Sequence, residues 1–144
     1  MTLLAVALGG AFGSLGRWAI ASVLSGSASG FPTATFAVNV TGAFGLGVAG
    51  AVLMERLTPR PYMRSLIGIG FFGAYTTFST MAVEGIRLID RGKPTTALTY
   101  WVLTLVVGQM AGVYGMWIGR LELPIGRSRD EHEGRREAAA DLHR

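Results

Sequence analysis

Four apolar stretches, at about 3–24, 34–54, 65–89 and 97–118, constrain this chain more than any other feature. Each reaches the roughly 20 residues a helix needs to cross the hydrocarbon core of a bilayer. Within them only Arg17, Glu84 and Arg87 carry charge. Pro32, Pro59, Pro61, Pro94 and Pro124, all the prolines of the chain, lie outside. Proline removes a backbone donor and breaks helices, so these positions mark the connections. The pattern predicts an all-α membrane domain over residues 1–119 with four transmembrane helices. A cleaved leader is disfavoured for the first stretch, because Met1 and Thr2 supply no cation and Arg17 interrupts the apolar run. Trp18, Trp101 and Trp117 fall near span ends, as interfacial anchors do.

Composition removes several function classes. Half of the chain is hydrophobic and 15% is charged, too apolar for a disordered or ordinary soluble protein. With no cysteine and both histidines, His132 and His143, near the C-terminus, the spans carry no thiol or imidazole chemistry, and no nucleophile–base pair suggests an enzyme. The net charge of +4 lies between apolar runs without interleaved aromatics, which argues against nucleic acid. Residues 120–144 form a polar, charge-balanced tail expected to be disordered. Its Asp130-Glu131-His132-Glu133 run reads as solvated charge, since no fold sets a ligand spacing there.

The spans carry few charges but many hydrogen-bonding groups. Gly9, Gly13 and Arg17 share one helix face, small residues ending in a cation. Arg17 on that face either points into water or protein, or snorkels to the headgroups. Asn39 is the strongly polar residue of the second span, suited either to an ion path or to interhelical hydrogen bonding. The third span places Gly73 and the hydroxyls of Thr76, Thr77, Ser79 and Thr80 near its centre. Hydroxyls compensate freed backbone groups and glycine relieves non-helical dihedrals, so a broken helix is expected there, with a plain kink as the alternative. Thr96, Tyr100 and Thr104 make a hydroxyl stripe that continues into Gly108 and Gly112, either a donor track or simple packing. Neutral donors beside a broken helix suit a small anion that sheds part of its water.

Three segments carry a resemblance. Gly9-Gly-Ala-Phe-Gly-Ser-Leu-Gly-Arg17, Phe36-Ala-Val-Asn39-Val-Thr-Gly42 and Gly70-Phe-Phe-Gly73-Ala-Tyr-Thr76-Thr-Phe78-Ser-Thr-Met81-Ala-Val-Glu84 are similar to the helix motifs of the Fluc fluoride channels, also called CrcB proteins. The resemblance covers residues 3–118. It implies a passive fluoride-selective channel of the cell's inner (plasma) membrane that exports fluoride, built as an antiparallel dual-topology dimer. Its pores would be lined by Asn39, Thr77, Phe78, Ser79, Thr80, Met81, Tyr100 and Thr104, with Arg17 and Glu84 at the vestibules. A central structural Na+ would be held by backbone carbonyls of Gly73 and Thr76. The partner would be an identical chain or an oppositely inserted paralogue.

Met81 stands where the family commonly has a second phenylalanine, which implies altered conductance because a thioether lacks a ring quadrupole. A small multidrug exporter is the nearest alternative, but it wants a carboxylate in the first span, where this chain has Arg17. A non-transporting scaffold would explain the glycines but not the mid-span hydroxyls. Arg56, Arg60 and Arg64 in the second connection oppose Arg91 and Lys93 in the third, with Arg17 and Arg87 near the latter's side. This weak bias suits dual insertion, although Arg120, Arg127 and Arg129 add to the first side.

Overall fold

A computed structural model describes residues 1–24, 30–56 and 61–121. The first span is α1 (Thr2–Leu24) and the second is α2 (Thr33–Gly50), which continues as a π-helical turn, Ala51–Arg56. The third span is composite: α3 (Pro61–Arg64), a π-helical segment Ser65–Phe72, α4 (Gly73–Tyr75) and α5 (Phe78–Asp90). The fourth is α6 (Pro94–Leu121). Four segments are long and apolar enough to cross a membrane: Thr2–Leu24, Thr33–Leu53, Tyr62–Asp90 and Pro94–Leu121. All four expected spans are present, each end within a few residues of its expected place. The tail, with its Asp130–Glu133 run, lies outside the described residues apart from Arg120 and Leu121, which extend α6.

Glycines set the packing. A methyl group on Gly9 would collide with the Leu66 carbonyl oxygen, and one on Gly13 with that of Phe71. The small face of α1 thus brings backbone against backbone on the π-helical half of the third span, the close approach that small residues allow within a membrane. Gly47 lies against the Gly112 carbonyl and Gly115 against that of Phe44, which seats α2 on α6 in the same way. The spans therefore pair one with three and two with four, and α1 touches α2 only slightly.

The turn between α5 and α6 follows from its sequence. Gly92 adopts φ 74°, and the amides of Gly92 and Lys93 donate to the carbonyls of Ile89 and Leu88 at 2.9 Å each. This Schellman closure ends α5, and Pro94 starts α6 where a missing N–H costs nothing. Met81, Leu88, Ala97 and Tyr100 form a buried cluster between α5 and α6, flanked by Phe31, Phe36 and Trp101. Trp101 departs from the expected interfacial anchor. Its indole fills the space left by Gly85 and donates to the Met81 carbonyl at 3.2 Å. Trp18 and Trp117 remain exposed.

Candidate functional site

The third span breaks at Thr76 (φ −77°, ψ 158°) and Thr77 (φ −150°, ψ 118°), two extended residues between α4 and α5. The expected break is present, but its glycine is not where the distortion lies. Gly73 is helical, with φ −64° and ψ −32°. Extended dihedrals are open to any L-residue, so the chain turns without glycine at the break itself.

Asn39 holds the broken strand. Its Oδ1 accepts from the Thr77 amide at 2.8 Å, and its Nδ2 donates to the Thr77 carbonyl at 3.0 Å. One carboxamide thus satisfies both backbone groups of a residue that has left the helix. The rest of the second-span motif serves the same place. The hydroxyls of Thr41 and Tyr75 share a hydrogen bond at 2.9 Å, and Gly42 leaves room for Thr76 and the Tyr75 ring. Thr77 caps α5 by accepting from the Thr80 amide at 3.1 Å, as an N-cap hydroxyl does.

These substitutions of partner have a further effect. In an unbroken helix the Thr77 amide would donate to the Gly73 carbonyl, and the Thr80 amide to the Thr76 carbonyl. Here the first amide is spent on Asn39 and the second on the Thr77 hydroxyl. Two carbonyl oxygens, on the two residues expected to hold a cation, lose their helical donors.

A groove of about 620 Å³ runs between α2 and α6 from the break toward Ala51 and Met116. It gathers Asn39, Thr76, Thr77, Phe78, Met81 and Thr104 of the expected residues, and among the described residues none of its lining side chains is charged. Phe78 is 73% exposed at the groove, whereas Met81 is buried against the α5–α6 cluster. Ser79 and Thr80 stand beside the groove, joined to Thr77 through hydroxyl contacts of 3.3 and 3.0 Å.

Tyr100 is fully buried and does not line the groove. Its hydroxyl donates to Glu84 Oε2 at 2.8 Å, while Thr35 donates to Oε1 at 3.0 Å, so the carboxylate ties α5 to α2 and α6. Glu84 also borders a second cleft of about 320 Å³, with Arg87 and Arg91 at its rim. Arg17 is half-buried on α1, apart from both spaces.

The groove hydroxyls spend their protons within the chain: Thr76 on the Phe72 carbonyl, Thr77 on the Thr80 hydroxyl and Thr104 on the Tyr100 carbonyl. Gln109, which the hydroxyl and glycine stripes passed over, lines the same groove. Its signal was present in the sequence: Asn39 and Gln109 are the only carboxamides of the whole chain, and both lie within apolar spans.

Comparison with known proteins finds relatives over most of the chain. The family model described as "CrcB-like protein, Camphor Resistance (CrcB)" matches residues 4–116. A protein of Acidobacterium capsulatum, named fluoride-specific ion channel FluC, is 42% identical over 83% of this chain and 96% of its own length. The fluoride-specific ion channel FluC 1 of Ligilactobacillus salivarius is 39% identical over 83% of this chain and all of its own length. A FluC of Hydrogenobaculum sp. is 39% identical over 84% of this chain and 99% of its own length. The match spans all four membrane helices and the broken third span, and the chain belongs to the CrcB family.

Proposed function

We propose that this chain is a passive fluoride-selective channel of the cell's inner (plasma) membrane, through which fluoride leaves the cytoplasm. The observation that carries the reading is the α2–α6 groove, which joins a broken helix, amide donors and the exposed Phe78 ring without one charged side chain among the described residues. A small anion that must shed water needs donors in place of its hydration shell, yet a fixed cation along the path would trap it. A ring edge carries partial positive charge and adds a weak attraction. The relatives named as fluoride-specific channels support the choice of ion.

The working unit is an antiparallel dual-topology dimer, of two identical chains or of this chain with an oppositely inserted paralogue. Three features support it: the groove lacks a wall on one side, Phe78 faces outward, and the connection charges are nearly balanced. A second copy laid antiparallel would close two grooves, each completed by Phe78 and Met81. Ser79, Thr80 and Thr104 border the path, while Tyr100 stands behind it on Glu84, which borders the second cleft as a candidate vestibule. The Gly73 and Thr76 carbonyls fit a hard cation, since both have lost their helical donors and oxygen is the ligand such ions prefer. A Na+ held there by both copies would cross-link the two breaks electrostatically.

Liposomes loaded with fluoride and containing only the purified chain test the reading with an ion-selective electrode. Rapid fluoride efflux, far above chloride and independent of a proton gradient, is expected. Equal efflux of the two halides, or efflux only with a proton gradient, overturns it.

A further inference from the structure

We infer that Gln109 is a second amide donor on the ion path, an anion-contacting residue that sets how tightly the groove holds its ion. The inference rests on the channel reading above and deepens it. Gln109 stands roughly 20 Å from either end of α6 at about 1.5 Å per residue, and so near mid-membrane. Its side chain is exposed in the groove and has no hydrogen bond to another described residue. An amide left without partners in hydrocarbon is strongly disfavoured, so the groove at this depth holds water or an ion, not lipid tails.

The inventory of donors narrows the role. Thr76, Thr77 and Thr104 have committed their hydroxyl protons, and Asn39 has committed one of its two amide hydrogens to Thr77. Among the described lining side chains, the uncommitted N–H donors are the second hydrogen of Asn39 and both hydrogens of Gln109. Tyr100 and Thr104 lie level with Thr35 and Asn39, since α2 and α6 run side by side in the same direction. Gln109 follows Thr104 by roughly 7.5 Å of helix rise, also at about 1.5 Å per residue. An anion leaving Asn39 along the groove would therefore meet Gln109 next. Gly108 and Gly112 beside it present no side chain, which leaves the carboxamide free to follow a passing ion. A neutral amide binds fluoride by hydrogen bonding without the deep well of a cation, and its acceptor oxygen can hold the water that the ion keeps.

The test is the fluoride-concentration dependence of efflux for the parent, Gln109→Met and Gln109→Glu in liposomes, each purified with its oligomeric state measured. Gln109→Met keeps length and bulk but removes both donors. It is expected to raise the half-saturating fluoride concentration about threefold to tenfold with an unchanged oligomer, in line with loss of one hydrogen bond. Gln109→Glu places an anion on the path and is expected to reduce efflux further at neutral pH, with recovery as the carboxyl is protonated. A merely structural role would change the number of active channels and leave the half-saturating concentration alone, and that result overturns the inference. So does loss of the oligomer in Gln109→Met, which would assign the amide to a subunit contact. If the parent itself fails to conduct fluoride, the channel reading falls first; if the parent conducts and both variants match it, only the role of Gln109 falls.

Discussion

Replacing Asn39 with leucine tests the clamp on the broken helix. The side chain keeps its bulk but loses both hydrogen bonds to Thr77, at 2.8 and 3.0 Å. The Thr77 amide and carbonyl, on a residue only 8% exposed, then lose their side-chain partner. Leaving a buried backbone group unpaired costs about 1–3 kcal/mol, so the two together cost about 2–6 kcal/mol. At about 1.4 kcal/mol per tenfold, the properly formed break becomes roughly 30-fold to 20,000-fold less populated. Asn39→Asp separates the clamp from the ion path. It keeps the acceptor for the Thr77 amide but sets a carboxylate oxygen against the Thr77 carbonyl. A protonated carboxyl restores a donor at that position. Thermal unfolding in detergent and fluoride efflux from liposomes are read together. The expected outcome is a large drop in unfolding temperature and loss of efflux for Asn39→Leu. Asn39→Asp is expected to lose efflux at neutral pH and regain part of it as pH falls far enough to protonate the introduced group. An Asn39→Leu protein that unfolds and conducts like the parent would refute the reasoning.

Gly13→Ala should destabilise by at least about 1–3 kcal/mol, because its methyl meets backbone atoms of Phe71 and Tyr75 that no rotamer change can move. Gly10→Ala on the same helix, whose nearest contact is Ala74 Cβ at 3.9 Å, should unfold like the parent in the same thermal assay. Phe78→Ile should lose fluoride efflux with little change in unfolding temperature, since the ring is 73% exposed. Met81→Phe should instead overpack the α5–α6 cluster and lower the unfolding temperature, since Met81 is 4% exposed there. Tyr100→Phe leaves Glu84 Oε2 without its donor and should cost about 1–3 kcal/mol in the same measurement, the penalty of a buried acceptor left unpaired.

The spans were legible because a membrane imposes both length and composition on any helix that crosses it. The break was legible because Thr76–Thr80 concentrate hydroxyls at a depth where few are otherwise found. Gly73 misled because glycine permits unusual dihedrals without requiring them, and Thr76 and Thr77 take up extended ones instead. Helical spacing put Tyr100 on one stripe with Thr104 but could not show where a long ring ends, which is at Glu84, sixteen positions away in the chain. The sequence leaves Asn39 open as either path or interhelical bond, and a carboxamide has enough hydrogens to engage Thr77 and keep one in reserve. Gln109 was missed because attention to hydroxyls and glycines selects a different property from the amide that Asn39 and Gln109 share.

The crossed pairing of spans, one with three and two with four, bears on how the chain is made. Synthesis delivers α1 and α2 to the membrane first, yet these two touch only slightly. The surfaces that Gly9, Gly13, Gly47 and Gly42 prepare have no counterpart until the third span and then α6 emerge from the ribosome. The nascent protein thus remains a loose set of single helices for most of its translation. Asn39 spends that interval without Thr77 to bind, a polar group waiting in lipid. The third span then docks on α1 and takes the Asn39 clamp, and α6 seats on α2 when it arrives. Truncations before α6 should accordingly insert and pair the first span with the third, but leave the α2 face around Gly47 without its partner.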